Sequence, residues 1–170
     1  MFIIVLNLYK YPVRGKKAQI RAIKPDQVYQ SEAVARLIGY VMKDGKKSVA
    51  QKEVYEAFLR VEKILKEKPM AVFEKALANV YPQMEVRSRR VGGAAYQIPM
   101  PVSRQRQTSL ALRWLVEGAR SRPNKEFHTF SEKLAAELVD AYNKTGGAVR
   151  RREEMEKVAE ANKAFSHFRW

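Results

Sequence analysis

Apolar residues recur every three or four positions through most of this chain, and a single segment breaks the rhythm. Such spacing puts one stripe of each helix against its neighbours, so it predicts a mainly helical protein. Val34, Leu37, Ile38, Val41 and Met42 form one stripe, opened by Ser31 and stopped at Asp44-Gly45. Ser48 with Gln51 reads as a capping box ahead of Val54, Phe58, Val61 and Leu65. Pro69 suits a first helical position, and Met70, Phe73, Leu77 and Val80 follow before Pro82 ends the run. Ser103 caps a fourth helix carrying Leu110, Trp114 and Leu115 to about Pro123. Thr129 with Glu132 is a second capping box, leading into Leu134, Leu138, Val139 and Tyr142, with Gly146-Gly147 as the stop. A last helix runs from about Arg151 to Ala164, with Met155, Val158 and Ala159 inward. The stripes predict core packing, and no internal repeat suggests a solenoid.

The segment that breaks the rhythm is 84–102. Gly92-Gly93 between two extended runs predicts a β-hairpin with a two-residue turn. Val91 then pairs with Ala94, Arg89 with Tyr96 and Arg87 with Ile98, which puts Arg87, Arg89, Val91, Tyr96 and Ile98 on one face. Ser88, Arg90 and Gln97 take the other. Pro99 and Pro101 donate no ladder bonds, so that strand is an edge near its end. A ribbon with arginines on both faces cannot be buried without partners, so it should project from the helical body. A chain of 170 residues makes one domain, so the reading is a single mainly α domain of about six helices with a protruding Arg-rich hairpin.

Charge decides what such a surface attracts. The chain has 33 Lys and Arg against 18 Asp and Glu, a net charge of +15, which draws polyanions, nucleic acid above all. The excess is local. Residues 1–30 hold six basic groups and one acid, and residues 82–106 hold five arginines and one acid. The stretches 31–81 and 107–144 nearly balance, as helices with solvated faces do. In the hairpin, the guanidinium forks of Arg87, Arg89 and Arg90 suit phosphate oxygens, and Tyr96 offers a stacking surface for unpaired bases. The competing reading folds those arginines onto acidic helix faces. Ser103-Arg104-Gln105-Arg106 opens a helix with cations in its first turn, against the helix dipole, and makes a phosphate site. Lys43, Lys46 and Lys47 flank Gly45 in a tight turn and could grip a backbone. Arg150-Arg151-Arg152 could do the same or pair with Glu153 and Glu154 beside them.

Chemistry is harder to find. With no cysteine, disulfides, thiolate metal sites and thiol nucleophiles are all excluded. No phosphate loop, HExxH helix or Cys/His metal spacing occurs, and nothing places a nucleophile beside a base. His128 reads as a helix-entry residue, and His167 lies in an aromatic end with Phe165, Phe168 and Trp170. No catalytic residue, metal or cofactor is expected. No run approaches the 18 or so apolar residues that a membrane span needs. The apolar start, Met1 to Leu8, lacks the preceding basic region and cleavage site of a signal peptide.

The segment from Pro82 to Met100, continuing through Ser109-Leu-Ala-Leu-Arg-Trp-Leu115, closely resembles the bacterial family of small-subunit ribosomal protein seven. So do Lys24-Pro-Asp26, Lys43-Asp-Gly-Lys-Lys47, Gly146-Gly-Ala-Val-Arg-Arg-Arg-Glu-Glu154, and the ending from Glu160 to Trp170. The likeness runs from about Arg14 to the last residue. It implies a structural, non-catalytic protein of the cytoplasmic ribosome that binds the 3′ major domain of small-subunit rRNA and starts assembly of the head. The implied division is an apolar start and basic tail over residues 1–23, then a helical rRNA-binding domain over 24–170. The rRNA-binding residues implied are Arg14, Lys16, Lys17, Arg21 and Lys24 in and beside the tail, Lys46 and Lys47 in the basic turn, and Arg104, Arg106 and Arg113. Arg87, Arg89, Arg90 and Tyr96 are implied to lie near the exit-site tRNA and the mRNA. Neighbouring head and platform proteins are further implied partners, with no membrane and no obligate homo-oligomer. Three features depart from the family: Ala95 stands where Asn is common, the Lys66-Glu-Lys-Pro69 join is short, and Met1 to Tyr11 is apolar. Val13-Arg-Gly-Lys-Lys17 itself resembles a family N-terminus, which predicts a natural chain without residues 1–12. Otherwise the apolar start packs on a neighbouring protein. Two other readings compete. One is an architectural DNA-binding protein with a basic β-arm; the other is an RNA-processing enzyme or its accessory module.

Overall fold

The computed structural model describes residues 22–168. Six α-helices and one hairpin follow in chain order: α1 (Glu32–Val41), α2 (Lys47–Leu65), α3 (Pro69–Val80), β1 (Met84–Val91), β2 (Ala94–Pro101), α4 (Arg104–Ser121), α5 (Phe130–Tyr142) and α6 (Gly146–Ala161). A 3₁₀ helix, Lys163–Phe168, closes the described chain. The mainly helical reading with one Arg-rich hairpin is what is found.

Helix α5 is the hub, packed against α2, α3, α4 and α6. Leu134 and Leu138 of the expected stripe are buried, with Ala135 and Ala141 beside them, while the expected Val139 and Tyr142 are half-buried at its edge. Around it the stripes of α1 to α4 close one core, with Phe58 and Phe73 almost fully buried and their rings 5.4 Å apart. Burying side chains of this size stabilises the fold by about 1.5–3 kcal/mol each. No helix among the described residues is long and apolar enough to cross a membrane.

The hairpin register is the expected one: Val91 pairs with Ala94, Arg89 with Tyr96 and Arg87 with Ile98. Both turn glycines take positive φ, 59° at Gly92 and 89° at Gly93, which the primed turns of two-residue hairpins demand. The ribbon is not wholly free of the body. Its base is anchored, with β1 against α6 and β2 against the 3₁₀ helix, and Ile98 is fully buried. The tip stands furthest clear, with Arg90 and residues 92–95 exposed, and Arg87, Ser88 and Gln97 are exposed along the strands.

Several boundaries differ from expectation for local reasons. The Ser48–Gln51 capping box does not form: α2 starts two residues earlier than that box requires, with Lys46 at the N-cap, and the Gln51 amide donates to the Tyr55 hydroxyl at 2.7 Å. Ser31 and Ser103 occupy N-cap positions but make no side-chain cap. The Thr129–Glu132 box is complete, with each side chain meeting the other's backbone N–H. Gly146-Gly147 does not stop α5. Asn143, Lys144 and Thr145 end it, and the glycines open α6, which finishes at Ala161 rather than Ala164. Of the residues expected inward on α6, Ala159 is buried and Met155 half-buried, while Val158 is exposed.

The early start of α6 has a physical cause on another helix. The carboxylate of Glu137, buried in α5, accepts the Ala148 backbone N–H at 2.8 Å. It thereby satisfies one of the open donors at the start of α6. A Cβ on Gly118 would lie 2.6 Å from the same carboxylate, and one on Gly146 would lie 3.2 Å from it. Gly146 also has φ +93°, a conformation that other residues rarely adopt. The Arg122 guanidinium completes the pocket, bonding Glu137 at 2.7 and 3.0 Å and also bonding Asp140.

Candidate nucleic-acid interface

Lys24 is exposed just where the tail joins the body. The next acid, Asp26, is buried and fixes that junction. Its carboxylate accepts the Val28 and Tyr29 backbone N–H groups at 3.1 and 3.2 Å and the Tyr55 hydroxyl at 2.8 Å. Burial, with Asp26 as neighbour, pushes the Tyr55 phenol above its usual range. Arg14, Lys16, Lys17 and Arg21 lie outside the described residues.

Lys46 and Lys47 sit at the start of α2, lifted by a turn in which Asp44 and Gly45 both take positive φ. Both lysines are exposed, and no ion pair engages them among the described residues. Helix α4 carries the next group. Arg104 is its first residue, Arg106 follows in the same turn, and Arg113 lies near mid-helix, all three exposed. At the far end Arg120 donates to the Val41 carbonyl at 3.1 Å, which ties the last turn of α4 to the end of α1 and so to the lysine turn. The helical rise puts Arg104 and Arg120 roughly 24 Å apart. The cations are therefore spread along α4, one cluster at each end and Arg113 between.

The hairpin meets the first cluster through one acid. Glu85, 6% exposed, accepts from Arg87 at 2.7 and 2.9 Å and from Arg106 at 3.3 Å. Burial alone would raise this carboxyl. The hydrogen bonds and charges of Arg87 and Arg106 outweigh it and hold the group below its usual range. Their guanidiniums remain largely in solvent, with 62% of the Arg87 side chain and 48% of the Arg106 side chain exposed. Glu85 thus neutralises part of the ribbon's charge and aims two arginines outward from one point. Arg90 is exposed and Arg89 half-buried.

Tyr96 does not stand open. It is half-buried, with its ring centroid 5.3 Å from both Phe165 and Phe168. The stacking surface expected for bases is taken up by the chain's own C-terminal segment. The arginine run on α6 is engaged within the protein: Arg151 pairs with Glu154, and Arg152 pairs with Glu153 and Glu156 and bonds the Asn79 carbonyl at 2.7 Å. Arg150 bonds the Gly146 carbonyl at 3.3 Å and stays exposed. Among the described residues no cluster of His, Asp and Glu could hold a metal ion.

Glu137 and Arg122 escaped sequence reading, because their partners lie on other elements and no local pattern marks them. Glu85 was legible as the one acid beside the hairpin arginines, but its bond to Arg106 on α4 was not.

The family described as Ribosomal protein S7p/S5e matches residues 13–163. The chain belongs to that family. Its members are structural ribosomal proteins, not enzymes. The chain is 57% identical over 150 residues to the small ribosomal subunit protein uS7 of Caldicellulosiruptor saccharolyticus, covering 88% of this chain and 94% of that protein. Against the uS7 of Thermotoga petrophila it is 51% identical over 158 residues, 93% of this chain and all of that protein. Against that of Treponema denticola it is 50% identical over 157 residues, 92% and 99% of the two chains.

Proposed function

We propose that the chain is a structural protein of the small ribosomal subunit that binds the 3′ major domain of small-subunit rRNA and nucleates assembly of the head. The observation that carries this is the run of exposed cations along α4. Lys46 and Lys47 lie by one end and Arg104 and Arg106 at the other, with Arg113 between, too far apart for a compact ligand and suited to a folded polyanion. Arg14, Lys16, Lys17, Arg21 and Lys24 add further cations for phosphate contact. Recognition is by phosphate neutralisation and shape, as for other structured RNA.

The hairpin reaches the exit-site tRNA and the mRNA with Arg87, Arg89 and Arg90, and Tyr96 acts by fixing the ribbon to the C-terminal segment. The body contacts neighbouring head and platform proteins, and the chain resides in the cytoplasmic ribosome. Family membership and the exposed basic surface support this reading.

The test is competition between a folded transcript of the rRNA 3′ major domain and duplex DNA of equal charge, at matched salt. The transcript should win by at least tenfold. Equal competition would favour the architectural DNA-binding alternative.

A further inference from the structure

The α1–α2 turn, the last turn of α4 and the first turn of α5 meet around an open groove of about 290 Å³. Its walls are apolar, formed by Val41, Val49 and Phe130, and its rim carries Lys43, Lys46 and Arg120. Val49 is 56% exposed and opens directly into the groove. The one acid that lines the groove, Glu53, is already engaged: its carboxylate accepts the Ser131 backbone N–H at 2.8 Å. Lys43 and Lys46 have no ion-pair partner among the described residues. An apolar slot beneath unpaired cations is complementary to a nucleotide, whose base is flat and apolar on its faces and whose phosphates are anionic. The volume lies at the small end of ligand sites, enough for one ring system rather than a peptide helix.

We propose that this groove receives a single unpaired base of the bound RNA, with the base against Val49 and Phe130 and its flanking phosphates on Lys43 and Lys46. The proposal rests on the RNA-binding reading above and adds an apolar, salt-independent contact to it.

The experiment measures binding of a transcript of the rRNA 3′ major domain to the full chain over a range of salt, with Val49→Gln, Val49→Lys and Lys46→Ala. Val49→Gln should weaken binding roughly tenfold without changing the slope of log affinity against log salt, because stacking and apolar contact carry no counterions. Lys46→Ala should make that slope shallower by about one. Val49→Lys separates the proposal from simple attraction: it should weaken binding by obstructing the slot, although it adds a charge. Wild-type affinity in Val49→Gln, or tighter binding in Val49→Lys, overturns the base slot and leaves the RNA-binding reading intact. Failure of the wild-type chain to bind the transcript overturns both. Unchanged melting temperatures in the Val49 variants, expected at so exposed a position, confirm that binding alone is being read.

Discussion

Two buried carboxylates, Glu137 and Glu85, organise this molecule from its interior. Glu137 joins three helices: it belongs to α5, takes a backbone N–H at the start of α6, and holds Arg122 from the end of α4. Burial would lower the Arg122 guanidinium, but the hydrogen bonds it donates to Asp140 and Glu137 hold it above its usual range. Gly118 leaves room for that carboxylate. Gly to Ala inside a helix ordinarily stabilises by up to about 1 kcal/mol. Here the new Cβ would press on a group pinned from two sides, so Gly118→Ala should destabilise the fold by about 1–3 kcal/mol in denaturant titration. A gain in stability would contradict the cradle. Glu85 gives a pH signature. Its folded pKa lies below the unfolded value, so its contribution is present above the unfolded carboxylate pKa of about 4.3 and is lost as pH falls through the folded one. Glu85→Gln should cost about 1 kcal/mol near neutrality, solvent screening of the two arginines keeping it small. The difference from wild type should shrink on acidification below that range. A difference independent of pH would contradict the ion pairs.

At the scale of elements, the hairpin divides into an anchored base and an exposed tip. Its register was legible from residues alone, because a Gly-Gly turn leaves one pairing and the pairing assigns the faces. Its packing was not. Tyr96 looked like a free platform since nothing near it in sequence covers it, yet the covering rings come from Phe165 and Phe168. The same reason hid the start of α6: a Gly-Gly pair after a helix usually marks an end, and the group that turns it into a beginning sits on α5. The Thr129–Glu132 cap was readable because both partners are local; the Ser48 cap failed because the lysine turn ends two residues sooner. Tyr96→Ala should loosen the ribbon, at about 1–2 kcal/mol of stability, and speed amide exchange across β2. Arg90→Ala, at the exposed tip, should change stability by no more than about 0.5 kcal/mol. Equal effects from the two would mean that the C-terminal segment does not hold the hairpin.

For the molecule as a whole, the charge total announced a polyanion partner, but only the fold shows where the cations stand. Arg152, half-buried, is spent on internal pairs, whereas Lys46, Lys47, Arg104 and Arg113 remain open to solvent. The central claim is that these open cations, with the tail, seat the protein on folded rRNA by displacing counterions from several phosphates. A salt titration of binding to the rRNA 3′ major domain tests it most directly. With six to ten phosphate contacts, affinity should fall by roughly 10³–10⁵ between 50 and 200 mM salt. A nearly flat response over that range would contradict the account.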